Sequence, residues 1–281
     1  MSRKNKKVAL TVEERCRAIF GDEPPVRYVW EPEFDYADKE LQALAATDWR
    51  DITEHQLSCY YVLNLVYNEP MQPELFRYLF PLCLAKWRER LLEDADRDHF
   101  DESLLQALRR PYLWREMMDA SQRRQVRAFI IDTMLARMDN ERGFGASLSW
   151  LSVFNDIGGT APVMRIIWSR WWSLDSVGKA VCALQYAAHL IYAGDDNILG
   201  GGAGWYHPLS YSDAWSQENW VFLYGALTPG KILEGVQAAA EKLRGEPEED
   251  IAARIAQDAL NAVEIITIQI EDVLTELACG T

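Results

Sequence analysis

Toward the end of the chain, from about Glu248, the residues Ile251, Ile255, Val263, Ile266, Ile270, Val273 and Leu277 recur at helical spacings of three, four and seven. Side chains three and four positions apart are neighbours on a helix surface, so this pattern predicts one amphipathic helix with an apolar stripe. At this length the stripe is expected to face a core and not to form a coiled coil. The rest of the chain has to supply surfaces for that stripe to pack against.

Further helices follow from start and stop signals. Thr11 with Glu14 three residues later forms a capping box, opening a helix through Cys16, Ala18, Ile19 and Phe20 that Gly21 and Pro24-Pro25 stop. Val26 to Glu31 reads as a short extended segment, and Tyr36 to Ala46 as helix. Thr53-Glu54-His55-Gln56 starts another, carrying Leu57, Tyr60, Tyr61, Leu63, Leu65 and Val66, and Asn68-Glu69-Pro70 ends it.

Pro73 suits a first helical turn, where its missing N–H would be unpaired anyway. The run Leu75, Phe76, Tyr78, Leu79, Leu82, Leu84 and Trp87 is apolar on nearly every side and predicts a deeply buried helix. Pro81 inside it is expected to kink or break that helix. An acidic connector spans Glu93 to Glu102, and Ser121 leads into a helix with Val126, Phe129, Ile130, Met134 and Leu135. Arg142-Gly143-Phe144-Gly145-Ala146-Ser147 is read as a boundary. Beyond it, Asp175 is expected to cap a helix from Ser176 to Ala193 that Gly194 terminates, and Thr228-Pro229 opens one ending near Gly245. The expected fold is mainly α: a multi-helix orthogonal bundle with little or no β-sheet. Its expected halves are an N-terminal helical domain, 1–140, and a C-terminal, aromatic-rich helical domain, 148–281.

Charge narrows the partners. With 49% hydrophobic and 26% charged residues the composition is globular, and the net charge is -14. That balance opposes general binding to nucleic acid, whose affinity comes from basic side chains neutralising phosphates. No run approaches the roughly 18 apolar residues of a membrane span. The basic start, Arg3 to Lys7, is followed only by Val8-Ala9-Leu10, short of a secretory signal's apolar core. The 5 cysteines (Cys16, Cys59, Cys83, Cys182 and Cys279) form no C-x-x-C pair and no disulfide framework. The expected compartment is cytoplasmic.

One stretch carries a resemblance. Trp49-Arg50-Asp51-Ile52, then Leu75-Phe76-Arg77-Tyr78-Leu79-Phe80-Pro81 with Leu84-Ala85, and later Gln122-Arg123-Arg124-Gln125-Val126-Arg127-Ala128-Phe129, follow one another in order. They resemble a bacterial helical domain family of unknown function with a Phe-Arg-Tyr-x-x-Pro helix, over about residues 35–137. The resemblance implies a helical bacterial cytoplasmic protein and brings no catalytic residues.

Catalytic signatures are sparse. The 4 histidines form no H-E-x-x-H, and the best metal constellation is His189, Asp195, Asp196 and His207 around a glycine-rich loop, Asp195 to Tyr211. Adjacent acids beside glycines are also ordinary turn residues, and His189 lies on an apolar helix, so no metal is expected. Gly200-Gly201-Gly202-Ala203-Gly204 runs into Trp205-Tyr206-His207-Pro208 without the lysine of a phosphate loop. There is no G-x-S-x-G elbow, and Cys59 and Cys182 read as core residues before nucleophiles. Trp168, Trp171 and Trp172 with Arg165 and Arg170 read as core packing with arginine stems over aromatic faces. No catalytic residue, cofactor or metal is expected.

The functional expectation is a bacterial immunity protein or antitoxin that occludes a basic toxin or effector. Its expected contacts are acidic and aromatic: Glu93, Asp94, Asp96, Asp98, Asp195, Asp196, Trp205 and Tyr206. Acidic surfaces steer rapidly onto basic partners, and aromatic anchors supply interface energy. Two alternatives stand beside it. One is an enzyme with its site in the 189–207 region; the other is a structural homo-oligomer using the last helix.

Overall fold

A computed structural model of the chain describes residues 9–30, 38–60, 65, 69–93, 99–144, 149–157, 160, 163–192 and 217–279; side chains at 38, 59, 99–102, 149, 220 and 276–279 lie outside the description. Among the described residues there are fourteen α-helices, one 3-10 turn and no strand, so the fold is mainly α. The chain forms two units, Met1–Val126 and Arg127–Thr281.

The first unit contains α1 (Val12–Phe20), α2 (Asp38–Ala46), a 3-10 turn (Trp49–Asp51), α3 (Glu54–Tyr60), α4 (Pro73–Leu92), α5 (His99–Arg109), α6 (Pro111–Glu116) and the start of α7 (Ala120–Asp139). The capping box at Thr11 is formed on both sides. Glu14 N–H donates to Thr11 Oγ1, and Thr11 N–H donates to Glu14 Oε2 at 2.8 Å. Gly21, at φ 89, ends α1 in a conformation that a side chain would strain. Residues 26–30 form no strand. Val26 N–H donates to Ala45 O at 2.7 Å, and Gln42 ties Val29 and Arg27 to α2.

Helix α4 is the core of this unit, with twelve buried residues spread around its circumference. Of the kink or break expected at the buried Pro81, the break does not occur: the helix runs on through it. Burial on every side outweighs the roughly 3 kcal/mol that an interior proline costs a helix. Phe20 of α1 meets Phe76 and Phe80 edge-on, at 5.7 Å from each, while those two rings stack at 4.6 Å. Buried Arg17 donates to Asp22 and Glu23 O, and its guanidinium lies 5.0 Å from the Trp49 ring.

The second unit contains the rest of α7, then α8 (Ser149–Ile157), α9 (Val163–Trp171), α10 (Val177–Ile191), α11 (Gln217–Ala226), α12 (Pro229–Lys242), α13 (Glu249–Asn261) and α14 (Val263–Cys279). Here α10 is central, with twelve buried residues, and α12, α13 and α14 pack on it. Its cap is Ser176, whose Oγ accepts from Lys179 N–H at 3.3 Å. The expected cap, Asp175, instead binds the Lys179 ammonium at 2.6 Å. Gly194, expected to end this helix, lies outside the described residues. The tryptophan cluster is core: Trp150, Trp168 and Trp171 are buried, with Trp171 5.0 Å from Trp150 and 5.6 Å from Tyr186.

The last helical segment is two helices, not one. Ala262 leaves helical geometry (φ -107, ψ 25), separating α13 from α14. Ile255, Ile266, Ile270 and Val273 are buried as expected of the stripe, whereas Ile251 and Val263 are exposed. No described helix is long and apolar enough to cross a membrane.

Candidate functional site

Two surface features of the second unit combine apolar and charged groups. The first is centred on Ile268 of α14. Its helical neighbours at positions -4, -3, +3 and +4 are Glu264, Ile265, Glu271 and Asp272, which share a side of the helix. All of them are exposed, the isoleucines by 47% and 49%. The opposite side of α14, with Ile266, Ile270 and Val273, is buried. Two β-branched side chains therefore face water between three carboxylates, and α14 carries no Lys or Arg at all. Burying such residues is worth roughly 1.5–3 kcal/mol each, so the patch is a favourable place for a partner to cover.

The second feature is a groove of about 460 Å³ between α9 and α12, flanked by α11. Trp168 and Trp172 stand one turn apart on its α9 side, and Phe222 contributes from α11. On α12 the positions 231, 234, 235 and 238 follow helical spacing and turn one face to the groove. Gly235 is required there: a Cβ would stand 2.4 Å from Trp172 Cζ3. Lys231 and Glu234 add one charge of each sign. Arg165 covers Phe222, with its guanidinium 5.3 Å from the ring and 3.1 Å from Glu218. That is the arginine-over-aromatic packing expected of the region, though the ring covered is phenylalanine.

Of the residues expected to bind a partner, only Glu93 is among those described. Glu93 is exposed and caps α4 at its C-terminal end, its N–H donating to Glu89 O. Asp94, Asp96, Asp98, Asp195, Asp196, Trp205 and Tyr206 lie outside the described residues. So do Asp195, Asp196 and His207 of the metal constellation, and the run Gly200 to Gly204. Its remaining member, His189, is held neutral by burial, which pulls the imidazole down to about 4. Among the described residues no three His, Cys, Asp or Glu side chains come together as a metal site.

Cys16, Cys83 and Cys182 are buried free thiols. Burial pushes Cys16 up to about 12 and raises Cys182 well above the ordinary thiol value, so neither is poised as a nucleophile. The side chain of Cys59, the other cysteine considered as a nucleophile, is outside the description.

No protein-family model, curated protein or solved structure matches this chain. The resemblance around the Phe-Arg-Tyr-x-x-Pro helix stands on those residues alone.

The sequence did hold a signal for the Ile268 patch. Ile265 and Ile268 lie off the buried stripe, making α14 apolar on two sides, which a surface helix ordinarily avoids.

Proposed function

We propose that this protein is a binding protein of the immunity or antitoxin kind, which neutralises a basic bacterial toxin or effector by covering it. The observation that carries the reading is the exposed Ile265–Ile268 pair bordered by Glu264, Glu271 and Asp272, in a chain of net charge -14. An apolar centre inside a charged rim is the usual anatomy of a protein interface. Carboxylates without local cations select a partner whose rim is basic, and they speed its approach. A second copy of the chain would set the same carboxylates against each other, which disfavours the homo-oligomer through this face.

The test pairs the protein with the products of the genes adjacent to its own. Growth protection against a toxic, basic neighbour is expected, with affinity falling as salt rises. Ile268→Lys should abolish protection and binding while leaving thermal unfolding unchanged, because the side chain is exposed. Protection that survives Ile268→Lys would overturn the docking face, and the absence of any protected toxicity would overturn the function.

A further inference from the structure

We propose that the groove between α9 and α12 binds a zwitterionic aromatic small molecule, of the aromatic α-amino-acid class. This goes beyond the docking reading and is independent of it.

The argument starts with size and lining. At about 460 Å³ the groove falls in the range of small-ligand sites and exceeds what a single ring needs. Its apolar wall is aromatic: Trp168, Trp172 and Phe222 offer faces and edges against which a planar ring packs better than an aliphatic chain. Trp172 is fixed in place because Gly235 admits the indole against the helix, where a Cβ would stand 2.4 Å from it.

Polarity then selects the class. Lys231 and Glu234 are exposed, three residues apart on α12, yet form no ion pair with one another. The Lys231 ammonium donates to Gly225 O at 2.8 Å, which holds it toward the α11 end, and its two other N–H donors meet no acceptor among the described residues. Glu234 has no ion-pair partner among the described residues. A bare aromatic acid would satisfy Lys231 but meet the Glu234 carboxylate. An aromatic amine would satisfy Glu234 but meet the Lys231 ammonium. A zwitterion places its carboxylate on Lys231 and its ammonium on Glu234, with its ring against the aromatic wall that Trp168, Trp172 and Phe222 line.

The test uses the intact protein and three probes: phenylalanine, phenylacetate, which lacks the ammonium, and phenethylamine, which lacks the carboxylate. Binding is read by calorimetry and by saturation-transfer NMR on the probe ring. Phenylalanine should bind about tenfold more tightly than either half-probe, the size expected of one charge-assisted hydrogen bond. Lys231→Met should erase its advantage over phenethylamine, and Glu234→Gln its advantage over phenylacetate. Both side chains are exposed, so unchanged thermal unfolding shows that the variants remain folded. No binding of phenylalanine, equal binding of all three probes, or indifference to both substitutions would overturn the proposal.

Discussion

The indole N–H of Trp150 donates to Gln185 Oε1 at 2.8 Å, with both side chains fully buried. The Gln185 amide then spends its donors on Glu141 Oε1, at 2.8 Å, and Gly143 O, at 3.1 Å. Glu141 also accepts from buried Arg137, and Gly143 N–H reaches Glu248 Oε1 at 3.0 Å. One glutamine thus joins α8, α10 and the turn after α7, and Glu248 extends the chain of contacts to α13. A buried network of this kind is stabilising only while each member is paired.

Gln185→Leu should therefore destabilise the protein by about 2–4 kcal/mol, because it strands the Trp150 N–H and removes a partner from a buried carboxylate. Trp150→Phe, which removes one neutral donor, should cost less from the lost bond than Gln185→Leu does from the broken network. Urea unfolding of the two variants checks the order. A Gln185→Leu loss below about 0.5 kcal/mol would show that the network carries no weight.

Two helical glycines should respond with opposite signs. At Gly178, on α10, a Cβ would stand 2.2 Å from Met138 O and 2.5 Å from Asp139 O. Those are backbone atoms and cannot swing aside, so Gly178→Ala should cost at least about 2 kcal/mol as α10 is forced away from the end of α7. At Gly225, within α11, nothing lies within 4 Å of a built Cβ. Gly225→Ala should stabilise by about 0.5–1 kcal/mol, since alanine loses less conformational freedom in a helix. Thermal unfolding of both variants reads the contrast directly.

Thiol chemistry offers a site-by-site check on the two cores. Cys16 and Cys83 belong to the first unit and Cys182 to the second, and all three are buried. In native protein at pH 8 they should resist aromatic disulfide reagents and react promptly in urea, as read by peptide mass mapping. Rapid native labelling of Cys182 would contradict the burial of α10.

Local signals were the legible ones. The Thr11–Glu14 box and the Thr228-Pro229 start are each complete within four residues, and both appear in the structure. The cap at Ser176 was misplaced by one residue because Asp175 is an equally good capping type. Only the position of Lys179, bound through its N–H by one and its ammonium by the other, separates them. The break at Ala262 was hidden for a geometric reason. Ile255 and Ile266 are eleven residues apart, almost a whole number of helical turns, so the stripe keeps its phase across the interruption. The groove was illegible because its aromatic wall and its charges come from three helices that only tertiary packing brings together.

His189 makes stability depend on pH in a defined window. Its imidazole has an ordinary value of 6.5 in the unfolded chain, and burial in the fold lowers it to about 4. Between those values the unfolded state holds the extra proton, so stability rises with pH across the window and is lost as pH falls through it. Above 6.5 the ring is neutral in both states and contributes no slope. The full effect is at most about 3 kcal/mol. Asp175 acts lower down: the Lys179 hydrogen bond holds its carboxyl below the ordinary 3.8, so its contribution fades only at more acidic pH. Urea unfolding at pH 7, 5.5 and 4.5 should show His189→Phe losing less stability than the natural protein. Parallel losses in the two proteins would mean that His189 takes up its proton in the fold as readily as in the unfolded chain, contrary to its largely buried place on α10.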